Sequence, residues 1–538
     1  MGSVEKGDNL IEMRHKIDND DERVNEKLLG GEKKITVMGA TRTSVGPTEK
    51  SKVYTLNEAL EYAGDGLFHK YLILVCGLCM MGVITETLVM SYIISSAECD
   101  LSLSMTDKGL LTGAAFFGVV ISSHFWGILS DAWGRRNVLL VAVCGCFAAS
   151  LCSCFSPNAL MLILTRTFVG LFVAANAAVS YAYLGEFHSD KTRSKAVTMS
   201  GVFMAFGMIY LPALAWAIIP LGRTHKFVMP FVGLELASWR IYLILVSLLN
   251  GLVLLGLVFL PESPKFLLSK GKSKETIEVL QKVYKWNGKS KDFNITELQL
   301  EDEEAVSKTE KLNPFMVVWT QTIALFKREH VVNTFKTCFL MAGIFFASSG
   351  LYLWTPDILN NIFQYKNESL TTCDALKIAY ESKNNTQPTD CSDQNIDTFP
   401  FIATLGMSIV FALCYFLNGL IVNCVGKRNL LMFWTTVCGL SSIVLIWAAE
   451  FHTILVFMLI LLTSGCCGSL ISAIAIDLFP TSIKAMALSL ILMCGRLFAG
   501  LGSNLIGYLL LINCDSVFWI VGAALLGCTC VGFTIPGP

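Results

Sequence analysis

The sequence has little charge for its length. Only 15% of its 538 residues are Asp, Glu, Lys or Arg, against about 25% in an ordinary soluble protein. The shortage is regional, because 46 of the 83 charged residues lie in residues 1–67 and 261–331, and the other 400 residues carry 37. Many uncharged runs in that remainder exceed the roughly 18 residues of a membrane-spanning helix. The composition therefore excludes a soluble globular protein and predicts an integral membrane protein.

Further absences narrow the function. The net charge is −1, so the chain lacks the basic surplus that contacts nucleic-acid phosphates. Residues 1–67 have no short apolar core of a cleavable signal peptide, which predicts a cytosolic N-terminus. No nucleophile–base spacing or phosphate-cradling loop stands outside the apolar runs, which argues against an enzyme or a bound cofactor. Most of the 19 cysteines lie in apolar runs with no nearby His, so we expect no metal site.

Apolar runs bounded by charge, Pro or Gly predict twelve spanning helices. Their approximate ranges are 68–96, 107–130, 137–155, 159–186, 195–220, 238–260, 332–360, 399–423, 429–450, 453–476, 485–511 and 515–535. The short loops on one side hold eight Lys and Arg, and those on the other side hold three. By the positive-inside rule the richer side is cytosolic, which predicts that both termini lie there.

The predicted domain organisation has four parts. Residues 1–67 are polar with mixed charges, which predicts a largely disordered cytosolic segment. Residues 68–260 and 332–538 form two six-helix halves, joined by a cytosolic linker at 261–331. Within the linker, residues 274–284 have apolar side chains at helical spacing. They predict an amphipathic helix that lies either on the cytosolic face of the protein or on the membrane surface.

The predicted outer loop at 365–398 carries two glycosylation sequons, at Asn367 and Asn384. A third sequon at Asn294 falls in the cytosolic linker. Because glycans are added on the other side of the membrane, only the first two are expected to be modified.

The same outer loop contains two cysteines, Cys373 and Cys391. The predicted topology places them in an oxidising compartment, where they can form a disulfide with each other. The alternative is that Cys99 or Cys514, near other outer helix ends, takes one of them.

An internal repeat divides the chain. The run Gly127-Ile-Leu-Ser-Asp131-Ala-Trp-Gly134-Arg135-Arg136 recurs 292 residues later as Gly419-Leu-Ile-Val-Asn423-Cys-Val-Gly426-Lys427-Arg428. The acid–base pairs Glu186 with Arg193 and Asp477 with Lys484 share one spacing and are displaced by 291. The repeat predicts two halves in the same orientation, a transporter plan whose substrate site lies at the membrane midplane between them.

The repeated charges lie at predicted inner helix ends, where we expect gating latches. Asp131 can accept from backbone amides at a neighbouring helix start and pair with Arg135, which would hold two helices together. Asn423 replaces this acid in the second half, which predicts a weaker latch there. The alternative is that Arg and Lys mark only the topology. The latch set is Gly127, Asp131, Gly134, Arg135, Arg136, Glu186, Arg193, Asp477 and Lys484.

Together the motifs resemble the major facilitator superfamily. The runs Gly127…Asp131…Gly134-Arg135-Arg136, Arg166-x-x-x-Gly170 and Pro261-Glu262-Ser263-Pro264-Lys265-Phe266 are similar to its sugar and organic-ion branch. The runs Ala215-Trp216-Ala217-Ile218-Ile219-Pro220, Ser238-Trp239-Arg240 and Leu353-Trp354-Thr-Pro356-Asp357 resemble the synaptic vesicle glycoprotein 2 group. The resemblance implies an all-α membrane fold of twelve transmembrane helices in two parallel six-helix repeats. It also implies a proton- or ion-linked carrier in a vesicle or plasma membrane.

The sequence departs from the synaptic vesicle glycoprotein 2 group in two places. Where members of the group carry two acids in the first helix, this chain keeps Glu86 but has Val83. Its outer loop before the eighth helix is also much shorter. The resemblance therefore implies a divergent relative with its own substrate, without the roles tied to a large outer loop.

Three charged residues interrupt the predicted spans: Glu86, Arg166 and Arg496. Each charge inside a membrane costs about 2.5–3.5 kcal/mol on insertion scales, so each is a functional candidate. At 1.5 Å per residue, Glu86 and Arg166 lie about 15 Å and 10 Å below the outer helix ends, so they can meet. They form either a proton-coupling pair or a static pair that fixes two helices. Arg496 is either a ligand for an anionic substrate or a second partner of Glu86.

We expect Trp216, Trp354, Asp357 and Arg496 to line the substrate cavity. The resemblance places both tryptophans beside it, where flat rings stack on sugars or planar ions; anchoring among lipid headgroups is the alternative. The leading hypothesis is a monomeric secondary transporter of a small organic solute, a sugar or an organic ion, with or without protons. The second is a vesicle membrane protein like synaptic vesicle glycoprotein 2, with a structural or regulatory role and little transport.

Overall fold

The computed structural model describes residues 53–98, 100–223, 227–228, 235–289, 293, 295, 297–299, 314–385, 398–480 and 483–535. These residues form helices and two short ribbons of strands. The strands are β1 (Val53–Thr55), β2 (Phe227–Val228), β3 (Glu235–Leu236) and β4 (Glu297–Gln299). β1 pairs with β4 in parallel, and β2 pairs with β3 antiparallel.

Helices α1 to α10 belong to the first half and the linker. They are α1 (Leu56–Ala63), α2 (Leu67–Leu88), α3 (Met90–Ala97), α4 (Met105–Trp133), α5 (Arg135–Cys154), α6 (Ala159–Glu186), α7 (Asp190–Ile218), α8 (Ser238–Phe259), α9 (Pro264–Ser269) and α10 (Ser273–Trp286). A 3₁₀ turn over Ile219–Arg223 extends α7. Because α2 and α3 continue one span, this half has six spans.

Helices α11 to α20 complete the chain. They are α11 (Pro314–Leu325), α12 (Val331–Tyr352), α13 (Thr355–Phe363), α14 (Thr372–Asn385), α15 (Phe399–Val425), α16 (Lys427–Val444), α17 (Phe451–Leu462), α18 (Cys467–Leu478), α19 (Lys484–Ile512) and α20 (Cys514–Phe533). A 3₁₀ turn over Thr463–Cys466 joins α17 to α18 in one span.

Eleven spans in the described residues are long and apolar enough to cross a membrane. The remaining predicted span corresponds to α16, which has 18 residues and begins with Lys427 and Arg428. Two cations in so short a helix lower its mean hydropathy. The structure therefore places a helix at each of the twelve predicted spans.

A glycine joins the second and third spans of each half. Gly134 has φ 103° and Gly426 has φ 87°, a backbone region that favours glycine. In both halves one helix ends at the residue before this glycine and the next helix begins at the residue after it. The repeated motif thus encodes the same sharp turn twice, as expected for two six-helix repeats.

The segment before the first span is folded. Thr55 and Glu58 form a capping box at the start of α1, in which each side-chain oxygen accepts from the other residue's backbone N–H, at 3.3 and 3.1 Å. The prediction of disorder across residues 1–67 is therefore wrong for 53–67, where strand pairing and helix packing supply the order. Residues 1–52 lie outside the described residues.

The amphipathic helix predicted at 274–284 is α10. Its apolar Val279 and Val283 are buried in the core of the first half. Leu280 packs in a second cluster with Leu60 of α1. Because protein covers the apolar face, the alternative of membrane-surface binding is wrong for this helix.

The two halves meet at the end of the bundle opposite to Gly134. Hydrogen bonds between described residues cross between them there, among them Tyr92 OH with Tyr352 OH at 2.8 Å, Ser95 Oγ to Asp357 Oδ1 at 2.9 Å, and Thr112 Oγ1 with Ser503 Oγ. Helices α4 and α19 also approach closely. A Cβ added to Gly113 would lie only 2.6 Å from Asn504 Nδ2. We call this the closed end, and the end with Gly134 and Gly426 the latch end.

Candidate functional site

The structure brings together the two charges predicted to meet inside the first half. Arg166 Nη1 donates to Glu86 Oε2 at 2.9 Å, and both side chains have no solvent exposure. Glu86 is carried by α2 and Arg166 by α6. Burial in a medium of low dielectric strengthens this attraction, but it also removes the hydration of both ions.

Polar side chains of two further helices complete the pair. Ser150 of α5 donates to Glu86 Oε2 at 3.0 Å, and Asn250 of α8 donates to Glu86 Oε1 at 2.8 Å. Arg166 Nη2 donates to the hydroxyls of Ser150 and Ser153 at 2.9 and 2.8 Å. Both carboxylate oxygens of Glu86, on α2, thus accept from donors on three other helices, which fixes α2, α5, α6 and α8 around one charge cluster.

Arg496 lies apart from this cluster, at the boundary between the halves. Tyr181 of α6 lies near Arg496, and Tyr415 of α15 lies near Tyr181. In the described residues, no Asp or Glu is seen in an ion pair with Arg496. Because the bonds to Glu86 come from other residues, the alternative that Arg496 is its second partner is wrong for this state.

The two tryptophans predicted to line the cavity differ in exposure. Trp354 is fully buried, donates from Nε1 to the Ser503 carbonyl at 2.8 Å, and packs on Gly507. Its ring therefore forms no open cavity wall here, and that prediction is wrong for Trp354 because a glycine on α19 leaves space for the indole. Trp216 is 47% exposed, so its place in the cavity stays a prediction.

Asp357 belongs to the closed end rather than to an open cavity. It is buried and accepts hydrogen bonds from Ser95 at 2.9 Å and Tyr380 at 3.2 Å. Burial, together with the nearby Asp357 carboxylate, raises the pKa of Tyr380 well above its usual value, so this phenol remains a donor. The cavity role predicted for Asp357 is therefore wrong in this state, since its oxygens connect α3, α13 and α14.

The charges of the first latch form a connected cluster. Arg135 pairs with Asp131 at 2.8 Å and with Glu186 at 3.1 Å, which connects the turn after α4 to the end of α6. Asp131 is predicted to accept from a backbone amide at a neighbouring helix start. The amide of Arg136, at the start of α5, instead donates to Glu262 Oε1 at 3.0 Å. These contacts lie within the first half and the start of the linker, which carries Glu262. They therefore hold helices of one half together and do not join the two halves in this state.

Arg193 has a different partner from the one its spacing suggests. It pairs with Asp190 at 3.0 Å and donates to the Gly185 carbonyl at 3.1 Å, while Glu186 turns to Arg135. The seven-residue spacing thus marks equivalent helix ends without forming a pair.

The second half repeats one contact of the first latch. Lys427 pairs with Asp477 at 2.6 Å, at positions equivalent to Arg135 and Glu186. Arg428 donates to the carbonyls of Gly532 and Phe533. The side chain of Asn423 lies outside the described residues. The second latch therefore still links the turn at Gly426, between α15 and α16, to the end of α18. That the second latch is weaker than the first stays a prediction.

The disulfide at the closed end is not the expected one. Cys373 is bonded to Cys514, with Cα atoms 5.5 Å apart, and Cys391 lies outside the described residues. The predicted pairing of Cys373 with Cys391 is wrong, while the alternative in which Cys514 takes a partner is confirmed. The reason is that the start of α14 lies against the start of α20, although the sequence separation is 141 residues.

Replacing Cys373 with serine is expected to lower the free energy of unfolding by about 2–4 kcal/mol, because the bond closes a long loop. The thermal midpoint of the purified protein with and without reductant measures this loss. Cys144→Ser, which changes an exposed free thiol, is the matched control. Equal midpoints for Cys373→Ser and Cys144→Ser under oxidising conditions would contradict the pairing.

The two predicted glycan acceptors lie on the same side as this disulfide. Asn367 is exposed in the turn after α13, beside a groove of about 330 Å³ formed with Glu450 and His452. Asn384 lies in the last turn of α14, and nothing is described of its side chain. Glycosylation at both remains a prediction.

Several residues of the site carry no distinctive sequence pattern. Tyr181 and Tyr415 resemble any tyrosine in a membrane helix, and only the packing of α6 and α15 places them near Arg496. Ser150 and Asn250 do leave a faint signal, since a polar side chain inside an apolar helix generally faces the protein interior.

Comparison with known proteins links this arrangement to transporters. Residues 54–352 match the family described as "Sugar (and other) transporter". The match covers the whole first half, the linker and the first helix of the second half, which is more than half of the chain.

Curated proteins similar to this chain include synaptic vesicle glycoproteins. Synaptic vesicle glycoprotein 2A of Homo sapiens is 26% identical over 330 residues, which cover 56% of this chain and 43% of that protein. Synaptic vesicle glycoprotein 2B of Homo sapiens is 26% identical over 337 residues, covering 58% and 48% respectively. The chain spans about half the length of the curated relatives it matches.

Solved structures with the same fold cover most of the chain. The xylose transporter XylE from E. coli, in a partially occluded inward open conformation, has a TM-score of 0.62 at 15% identity, covering 87% of this chain and 98% of that one. A bacterial homologue of the human lysosomal transporter Spinster, inward-facing and unoccupied, has a TM-score of 0.61 at 12% identity, covering 88% and 98%. At these identities the likeness establishes the twelve-helix fold.

Proposed function

Because the chain belongs to the sugar (and other) transporter family of the major facilitator superfamily, we propose that it carries a small organic solute by alternating access. In such a carrier the two halves rock about a site between them. The observation that carries this proposal is Arg496, a partly buried cation at the boundary between the halves for which the described residues show no ion pair with an Asp or Glu.

The positive charge of Arg496 favours some classes of solute over others. A buried cation is costly unless an anion or strong acceptor compensates it. An organic anion such as a carboxylate supplies that charge and accepts the paired N–H donors of a guanidinium. We therefore place an organic anion first, and a neutral sugar second.

Two tyrosines extend the proposed site into both halves. Tyr181 comes from the first half and Tyr415 from the second, and the hydroxyl of Tyr181 contacts Met204 Sδ at 3.6 Å. Their hydroxyls can donate to a bound solute, and their rings offer flat apolar surface. A solute held by Arg496 and Tyr181 touches both halves, so its binding changes the relative stability of the open and closed arrangements.

We assign proton coupling to the Glu86 pair. A structure similar to this fold is described as a D-xylose-proton symporter. Protonating Glu86 removes the ion pair with Arg166, so proton binding and helix packing in the first half are linked. In the present state the pair is closed off from solvent, which means that a proton can exchange only after the first half rearranges.

The orientation and location are part of the same proposal. With the cation-rich loops in the cytosol, the latch end and both termini are cytosolic and the closed end faces outward. The state described is then inward-facing, in a vesicle or plasma membrane.

A vesicle protein with little transport is the second candidate. It is favoured by the similarity to synaptic vesicle glycoproteins 2A and 2B, and the complete hydrogen bonding of Glu86 is compatible with either candidate.

Glu86→Gln is expected to abolish solute accumulation driven by a pH gradient. One proton coupled per solute lets a gradient of one pH unit support about a tenfold accumulation, since a pH unit is about 1.4 kcal/mol. The full-length protein is reconstituted in vesicles, and uptake is measured from a mixture of sugars, carboxylates and amines, with and without the gradient.

Glu381→Gln, which changes an exposed acid in the same way, is the control and should accumulate solute normally. Accumulation unchanged in Glu86→Gln would remove Glu86 from the coupling. No uptake of any solute by correctly folded wild-type protein would favour the vesicle role without transport.

A further inference from the structure

Two histidines and an aspartate from separate segments meet at the latch end of the first half. Asp65 lies in the turn between α1 and α2, His69 in the first turn of α2, and His188 between α6 and α7. Their side-chain ligand atoms lie within 4.8 Å of one another. The two imidazoles are 5% and 2% exposed, whereas the Asp65 carboxylate is open to solvent. This cluster is separate from Glu86 and Arg496, and nothing in the transport mechanism uses it.

His188 is oriented by its far ring nitrogen. His188 Nδ1 lies 2.8 Å from the Leu184 carbonyl, so Nδ1 carries the proton and donates it. Nε2 therefore holds the free lone pair. A backbone carbonyl on the second ring nitrogen is the usual support for an imidazole that binds a metal ion, because it fixes both tautomer and ring angle.

Two oxygen atoms of other residues lie near His69 Nε2, at distances close to those between neighbouring ligands of a metal ion. Its Nε2 is 3.1 Å from the Phe187 carbonyl oxygen and 3.7 Å from Asp65 Oδ1. Ligand atoms around tetrahedral Zn²⁺ lie about 3.3 Å apart, given bonds of about 2.0 Å. Asn287 Nδ2 is 3.4 Å from the other ring nitrogen, a long contact that fixes the tautomer weakly. The His69 ring can thus release the Phe187 contact and offer Nε2 to an ion.

We propose that Asp65, His69 and His188 bind Zn²⁺ or a similar divalent transition metal ion, with the Phe187 carbonyl or a water as fourth ligand. Two imidazoles and one carboxylate suit zinc, whereas calcium and magnesium require mainly oxygen ligands. The two buried rings are pre-positioned, and the exposed aspartate provides the entry path. To bind one ion, the ligand atoms must come about 1.5 Å closer together. The solvent-facing turn that carries Asp65 can supply this by moving inward.

Metal binding here would connect the linker to the transport halves. Asn287, just after α10, donates to the Ala63 and Gly64 carbonyls and accepts from Phe68 N, next to the cluster. His188 lies two residues before α7, a helix that packs against α15 of the second half. An ion would therefore hold the segment before α2, the end of α10 and the start of α7 in one arrangement.

Cobalt binding to the full-length protein in detergent tests the site directly. Tetrahedral Co²⁺ gives visible absorption bands, and Zn²⁺ added afterwards should displace it. We expect one Co²⁺ per wild-type chain and an affinity lower by more than about tenfold in Asp65→Asn and in His188→Gln. Zn²⁺ should also raise the thermal midpoint of the wild type and leave that of the variants unchanged.

His452→Gln, an exposed histidine at the other end of the molecule, is the matched control and should bind as the wild type does. Asp65→Asn changes only an exposed side chain, so it reports on binding even if His188→Gln fails to fold. Wild-type binding and stabilisation retained in Asp65→Asn and His188→Gln would place the ion elsewhere and overturn the proposal. A wild type that neither shows Co²⁺ bands nor gains stability with Zn²⁺ would overturn it as well.

Discussion

Arg166→Met is expected to lower the free energy of unfolding by about 3–5 kcal/mol. The cause is the Glu86 carboxylate, which would stay fully buried with only Ser150 and Asn250 as donors. An unpaired buried charge is far more costly than the loss of a favourable contact alone.

The double variant Glu86→Gln with Arg166→Met should recover much of this loss, since replacing both partners leaves no buried charge. Thermal midpoints in detergent for the wild type, both single variants and the double variant form a complete cycle. Arg328→Met, an exposed arginine, is the control for the loss of one positive charge. A double variant no more stable than Arg166→Met would show that the pair is not the reason for the loss.

The same cycle separates the two roles left open for the pair. A static pair predicts that a well-folded double variant still accumulates solute against its gradient. A coupling pair predicts that the double variant folds and binds solute, yet no longer responds to pH. Combining the midpoint with pH-driven uptake therefore distinguishes structure from coupling in one set of proteins.

Arg496→Gln is expected to lower uptake of an organic anion by about 10- to 100-fold. Hydrogen bonds to a charged group contribute about 1.5–3 kcal/mol, and each 1.4 kcal/mol corresponds to a factor of ten in affinity. Initial uptake rates for a set of mono- and dicarboxylates measure the change. Arg496→Lys should retain part of the activity, because it keeps the charge but loses the paired donors of the guanidinium.

Arg328→Gln is the matched control for Arg496→Gln and should transport normally, because its side chain is exposed in the loop before α12. Uptake of neutral sugars should change little in Arg496→Gln if the guanidinium recognises an anion. Anion uptake equal to wild type in Arg496→Gln would contradict the assignment, and a selective loss of sugar uptake would make a sugar the solute class.

The parts of the site that sequence predicts well are charges in apolar surroundings. Glu86 and Arg166 stand out because charge is rare in a membrane helix, and their depths follow from the rise per residue. The same reasoning finds the equivalent turns at Gly134 and Gly426, because a repeat of charge and glycine survives where the other residues differ. These features depend on local sequence and on one known dimension, the membrane thickness.

The parts that sequence misses depend on which helices pack together. The disulfide partner of Cys373 lies 141 residues away, because α14 and α20 start side by side. Trp354 is buried because Gly507 on another helix leaves room for its ring. Neither relation is visible as a pattern along the chain.

Residues 53–67 are folded, although the composition of residues 1–67 as a whole predicts disorder. The mixed charges of residues 1–67 suggest disorder as a whole, yet Thr55 and Glu58 have the spacing of a capping box. A helix-start motif therefore predicts local order better than average composition does when the chain also supplies an amphipathic partner helix such as α10.

The closed end has a consequence for the energetics of opening. Two cross-half hydrogen bonds described there join neutral hydroxyl groups, Tyr92 with Tyr352 and Thr112 with Ser503. Each such bond contributes only about 0.5–1.5 kcal/mol net, because water replaces it on separation. A population ratio of 100 to 1 corresponds to about 2.7 kcal/mol, so a solute that prefers the minor arrangement by that amount makes the two arrangements equally populated, and inverting the ratio takes about 5.5 kcal/mol. Since neutral hydroxyls are little affected by mobile ions, these two contacts should respond far less to ionic strength than the charged latches do.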